Sequence, residues 1–216
     1  MTYPAPIEQV MTPVDQALLR SRRRRLVQRA RGRVLELGGA GGVNLEHYRT
    51  SEVSSVVVVG AEGPSRDRLA RSAARRGLAG FVLVDQRALD AMDDCFDTVL
   101  ATFTLSARSD LLGDLRSFAD RLTPDGRLLF LDHSPRRPPG LATELSRPLW
   151  RFLGDGFVAG RDLPGALRTS GFIVVDLERF GLPTLTLPLR SCVAGVARVQ
   201  RPGGARRVEG SGRGER

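Results

Sequence analysis

Residues 33–45 read RVLELGGAGGVNL, and this stretch decides the fold. Val34, Leu35 and Leu37 make a short apolar run that carries one acid, Glu36. Four glycines and an alanine follow, Gly38, Gly39, Ala40, Gly41 and Gly42. A run of this kind reads as a strand that turns sharply into a helix start. Lacking β-carbons, the turn lets a ligand come close to the backbone. Free N–H groups of the following helix then point at the same place.

Outward from this turn, strands and helices alternate. A helix is expected over 13–31, with Leu19, Leu26, Val27 and Ala30 on one side and Arg20 and Arg22–Arg25 as a solvated cationic face. Val56–Val59 is a fully apolar β-branched run, suited to a strand buried on both faces. Pro64 and Ser65 open a helix that Gly77 stops. Phe81–Val84 and Phe96–Phe103 read as strands, and Asp110–Leu122 as an amphipathic helix. Thr123–Gly126, TPDG, reads as a turn into a strand at Arg127–Leu131. Helices are expected over 141–152 and 162–169, then strands at 172–177 and 190–199. The pattern predicts an α/β fold with a doubly wound, Rossmann-like sheet and helices on both faces.

Charge is unevenly placed. The chain of 216 residues carries a formal charge of +9 and contains no lysine, so every cation is arginine. Residues 1–33 hold eight arginines against Glu8 and Asp15, and residues 201–216 hold five against Glu209 and Glu215. The stretch between is neutral. The expected organisation is an arginine-rich helical extension over 1–32, a domain over 33–200 and a disordered basic tail over 201–216. Neither membrane-spanning run nor signal-peptide core is evident, so a cytoplasmic location is expected. Cys95 and Cys192 both sit in apolar surroundings and are expected to be inert thiols.

In an open α/β sheet, ligands bind beyond the carboxyl ends of the strands, at the switch point. Those ends place Glu62, twenty residues past Gly42, where its carboxylate can accept from both ribose hydroxyls. Asp85 can accept from an exocyclic amine, while Gln86 offers a backbone N–H to a ring nitrogen. Together they describe an adenosine site. A dinucleotide fingerprint is excluded, because G-x-G-x-x-G started at Gly39 meets Asn44. A phosphate loop ending in GK[ST] is impossible without lysine.

These ordered segments resemble the class I S-adenosylmethionine-dependent methyltransferases over about 33–178. VLELGGAGG at 34–42 is similar to their first motif, acid-x-Gly-x-Gly-x-Gly, which places Glu36, Gly38, Ala40 and Gly42 in register. VVVVGAEGPSRDRL at 56–69 resembles the ribose segment with Glu62 and Gly63, and FVLVDQRALD at 81–90 the adenine segment. CFDTVLATFTL at 95–105 and LRSFADRLTPDGRLLFLDH at 115–133 resemble the fourth and fifth strand regions. The late segment 148–172 is closest to the phospholipid, quinone and thiol methyltransferase branch. The resemblance implies S-adenosylmethionine as cofactor and a seven-stranded sheet whose last strand is antiparallel. Departures are Ala40 for the central glycine, Gly63 for a common proline, Arg87 for a common acid and Phe157 for the cysteine usual in that branch.

Methyl transfer from a sulfonium is an in-line displacement that depends on positioning. Asp132 and His133, at the end of the fifth strand, are the expected base or acceptor-orienting pair. Thr102 and Phe103 are expected near the methionine end of the cofactor or the acceptor, and Trp150, Phe152 and Phe157 over the acceptor pocket. A small-molecule acceptor is expected and no specific nucleic-acid partner, with weak contact between the arginine-rich helix and anionic surfaces left open. Two alternatives stand beside this reading: a non-catalytic domain that keeps the fold, and a nucleic-acid methyltransferase.

Overall fold

A computed structural model describes residues 12–61, 64–78, 80–134, 161–183 and 190–201. The described elements run α1 (Pro13–Val27), β1 (Gly32–Leu37), β2 (Val53–Val59), α2 (Pro64–Arg76), β3 (Phe81–Val84), α3 (Gln86–Asp90) and β4 (Phe96–Thr102). They continue with α4 (Leu111–Arg121), β5 (Leu122–His133), α5 (Leu163–Thr169), β6 (Phe172–Gly181) and β7 (Ser191–Val199). Gly39–Gly42 and Leu45–His47 form short 3-10 turns. The helix expected over 141–152 lies outside the described residues.

The strands form one sheet in the order β3-β2-β1-β4-β5-β7-β6. β1 to β5 are mutually parallel, and β7 runs antiparallel to both β5 and β6. The antiparallel last strand and the doubly wound sheet agree with the sequence reading. Apolar residues fill both faces. Leu69 and Ala73 of α2 pack with Val34, Val56 and Val58 on one side. On the other, Leu89 of α3, Leu111, Leu115 and Phe118 of α4, and Leu163 and Leu167 of α5 pack with Leu35, Val57 and Val99.

Helix α1 is built into the first of these layers. Thr12 caps it by accepting from the Asp15 N–H, and Pro13 occupies the first turn, where its missing N–H costs nothing. Leu19, Leu26, Val27 and Ala30 are buried as expected. The region read as an extension over 1–32 thus shares the domain core from α1 onward. Its cationic face is only partly solvated. Arg22 and Arg25 both pair with Glu178 of β6, at 2.8 and 3.2 Å, and Arg29 pairs with Asp176. The Arg22 guanidinium also lies 4.3 Å above the Phe180 ring. Arg23 is buried, against the expectation for that face.

Two further expectations change. Thr123–Gly126 is not a free-standing turn, because β5 already begins at Leu122, which pairs with Phe96. The next pairs join Thr98 to Arg127, so five steps on β5 oppose two on β4 and the TPDG segment bulges. Asp97 anchors this corner by accepting from the Arg33 N–H at 2.9 Å and the Thr123 hydroxyl at 3.2 Å. Cys95 is exposed just ahead of β4, whereas Cys192 is buried, and neither is in a disulfide.

Close packing of β7 demands glycine at 195. A Cβ there would lie 2.7 Å from Phe130 Cζ and collide with the Asp176 carbonyl, where β6 bulges between Val174 and Asp176. Gly195→Ala is expected to destabilise the fold by about 1–3 kcal/mol, read as a lower urea midpoint with unchanged slope.

Candidate functional site

β1 and β4 are neighbours whose connections leave in opposite directions, so a crevice opens between their carboxyl ends. At the end of β1, Gly38, Gly39, Gly41 and Gly42 all take positive φ, +75°, +65°, +64° and +94°. Side chains with a β-carbon rarely hold that conformation, which is why the sequence places glycine there. The Gly38 N–H closes the turn on the Val59 carbonyl at 2.8 Å. A Cβ on Gly39 would lie 2.9 Å from Leu69 and 3.0 Å from Val58, so this glycine lets α2 press on the sheet. Gly41 is exposed and gives the crevice a backbone wall. This left-handed cradle fits the cofactor end expected from the motif. The side chain of Ala40, and all of Glu62 and Gly63, lie outside the described residues.

Beneath the cradle is a polar cluster that the sequence reading did not assemble. Glu36 is 0% exposed and faces α1. It accepts from Asn44 Nδ2 at 2.7 Å and from the Tyr48 hydroxyl at 2.8 Å. Asn44 Nδ2 also donates to Thr102 Oγ1 at 3.0 Å, and Asn44 Oδ1 accepts from Arg23 Nη1 at 2.6 Å. Arg23, 3% exposed, reaches Thr102 Oγ1 at 3.3 Å and stands 5.9 Å over the Phe103 ring. Burial pushes the Glu36 carboxyl above its ordinary range, outweighing Tyr48, Asn44 and Arg23, which pull it down. Burial also lowers Arg23 to about 10, with Glu36 opposing. The Tyr48 hydroxyl is driven well up by burial and by the neighbouring Glu36.

Glu36 and Thr102 are therefore engaged within the protein, and Arg23, Asn44 and Tyr48 join them although the sequence pattern did not single them out. A signal was present. Arg23 falls four residues after Leu19 and four before Val27, on the apolar stripe rather than the cationic face.

At the end of β3, Asp85 Oδ1 accepts from the Ala88 N–H at 2.7 Å and caps α3. Gln86 Nε2 donates to Asp90 at 2.9 Å. Gly60 donates to the Val84 carbonyl at 3.3 Å, which draws the ends of β2 and β3 together. Asp85 and Gln86 thus stand at the carboxyl end of β3, their side chains engaged with α3.

Beyond β4, Phe103 takes φ +54°, an unusual value for a residue with a side chain. Its ring lies 4.9 Å from that of His133. Asp132 is fully buried and accepts three backbone N–H groups, from Leu105 at 2.7 Å, Ser106 at 3.1 Å and His133 at 2.7 Å. Burial still raises its carboxyl above the ordinary range. The geometry gives Asp132 the work of holding the 103–106 loop, and not that of a base open to an acceptor. His133 is 4% exposed, with Nδ1 3.4 Å from Cys192 Sγ. Burial pushes that thiol up, so it stays protonated. Trp150, Phe152 and Phe157 lie outside the described residues.

A family model described as a methyltransferase domain matches residues 14–177. The chain belongs to that family. It is a class I S-adenosylmethionine-dependent methyltransferase by motif order and by fold, and S-adenosylmethionine is its cofactor. Among similar solved structures is the N-methyltransferase NodS from Bradyrhizobium japonicum in complex with S-adenosyl-L-homocysteine. It is 16% identical over 91% of this chain and 93% of that one, with a TM-score of 0.67. The [4+2]-cyclase SpnF is 18% identical over 87% and 81%, at 0.64. YcgJ from Bacillus subtilis is 17% identical over 88% and 99%, at 0.61. At these identities the likeness concerns the fold. No described helix of the methyltransferase is long and apolar enough to cross a membrane.

Raising the Glu36 pKa on folding means that the native state favours its protonated form. Its contribution to stability is full below the ordinary value of 4.5 and fades as pH rises through the higher folded value. The stability of wild type minus that of Glu36→Gln is therefore expected to fall as pH is raised above 4.5. Urea unfolding of both proteins across the acidic to neutral range measures the difference.

Proposed function

We propose that this methyltransferase moves the methyl group of S-adenosylmethionine to a small-molecule acceptor by in-line displacement. When bound, the cofactor supplies a methyl group made electrophilic by its sulfonium. Gly38, Gly39, Ala40 and Gly42 cradle it, Glu62 and Gly63 take the ribose, and Asp85 and Gln86 take the adenine. Glu36 and Thr102 act from below, by fixing Asn44 and Arg23 at the wall of the crevice. Asp132 holds the loop that carries Phe103 and Ser106. His133 orients the acceptor or takes its proton.

The observation that carries the small-molecule reading is the engagement of the α1 arginines within the protein. Arg23 is buried on Asn44 and Thr102 beneath the cradle, while Arg22, Arg25 and Arg29 are drawn onto β6. The helix that carries the chain's most obvious basic run thus spends much of that charge within the protein, which supports a small acceptor over a polyanionic polymer. Weak contact of its remaining arginines with anionic surfaces is compatible with that arrangement.

Calorimetry with S-adenosylhomocysteine is expected to give saturable binding at one site; no heat at millimolar ligand would sink the enzyme reading. A panel of thiols, phenols and amines, followed by mass detection, identifies the acceptor, and methylation confined to RNA or DNA overturns the small-molecule assignment. His133→Gln is expected to slow transfer roughly 100-fold for acceptors that must lose a proton, with S-adenosylhomocysteine affinity retained.

A further inference from the structure

A groove of about 1320 Å³ runs between α1 and α2, outside the cofactor crevice. Its floor is the segment from Glu46 to Arg49. Arg20 and Arg24 enter it from α1, Arg49 from the floor, and Arg75 and Arg76 from the last turn of α2. Glu46 is the one acidic side chain in this lining, and Arg76 donates to its backbone carbonyl at 2.6 Å. Among the described residues, the side chains of Arg20, Arg24, Arg49 and Arg75 make no ion pair or hydrogen bond, whereas Arg25, also in the lining, is held by Glu178, as Arg22 is, and Arg29 by Asp176.

Like charges that converge in a concave space repel one another, and Arg20 and Arg24 are in addition one helical turn apart. The floor responds to them. His47 is held below its ordinary range by burial first, then by Arg23, Arg20 and Arg24, against the pull of Glu46. An anion relieves this arrangement. Guanidinium forks match phosphate oxygens in pairs, and three separate elements supply them around one space. That spread suits a ligand with several phosphates better than a single one.

The lining also discriminates among sources of phosphate. A bilayer needs a flat or convex contact with apolar side chains to insert, and the groove is concave with only small apolar residues on its walls. Single-stranded nucleic acid needs aromatic stacking platforms. Tyr48, the aromatic residue of the lining, is buried with its hydroxyl on Glu36. We propose that the groove between α1 and α2 is an anion site for a free molecule bearing a chain of two or more phosphates.

Titration calorimetry of the full chain with inorganic tripolyphosphate at low salt tests this. Saturable one-to-one binding that weakens with added salt is expected, with inorganic phosphate much weaker. Arg24→Ala combined with Arg75→Ala is expected to reduce affinity roughly tenfold or more, while Arg116→Ala on exposed α4 leaves it unchanged. Retained S-adenosylhomocysteine binding shows that the double variant is folded and keeps this test separate from the cofactor assignment. Absent binding, or equal loss in the Arg116 variant, overturns the proposal. So does tighter binding, phosphate for phosphate, of a short RNA or of phosphatidylglycerol vesicles by the same arginines.

Discussion

A carboxylate sealed at the end of the central strand constrains the site most. Glu36 stands where β1 gives way to the glycine turn, closed off from bulk solvent. A buried acid without partners costs several kcal/mol, so the surrounding chain is arranged to supply donors. Asn44 and Tyr48 come from the segment just after the turn, one helical step apart. Arg23 arrives from a helix that precedes the sheet, and Thr102 from the strand alongside. Four separate stretches are thereby fixed to each other beneath the glycine turn. The turn above them is closed by the Gly38 N–H on the Val59 carbonyl.

Much of the fold was legible because it rests on local patterns. Val56–Val59, the capped start of α4 and the glycine after α2 each announce their element within a few residues. The doubly wound sheet followed from the alternation of strands and helices, and its antiparallel last strand from the family resemblance. Less legible was anything that depended on which side of an element a polar residue faces. Arg23 sits inside a run of four consecutive arginines and reads as surface, yet helical phase puts it among Leu19 and Val27. Asp132 looked like a base because it ends a strand beside a histidine. Only the fold of the 103–106 loop, which turns its N–H groups onto that carboxylate, reveals its positioning work. The TPDG bulge was read as a turn because its residues favour one, and the pairing of Leu122 with a distant strand decides otherwise.

Arginine serves this chain in several physically distinct ways. On α1 alone it neutralises β6 acids, lies over an aromatic ring, supports a buried amide and lines a solvent-filled groove. The guanidinium permits this range because it stays charged through the physiological range and offers five donors in a plane. Net charge by itself therefore said little about partners, whereas the geometry of each arginine says a great deal.

The position of β7 carries a consequence for how the protein is made. It is the last described strand in the chain, yet it lies between β5 and β6, inside the sheet. Until it is synthesised, β5 presents an open edge, and Asp132 and His133 lack the backbone partners that Val193 and Cys192 provide. The nascent chain thus holds nearly all of its sheet before it can close it. Such late, non-local pairing folds slowly and leaves an adhesive edge exposed in the meantime. Loss of even a few residues from β7 would accordingly strike the end of β5 and solubility together, although β4 and β5 separate it in the sheet from the strand that leads into the glycine turn.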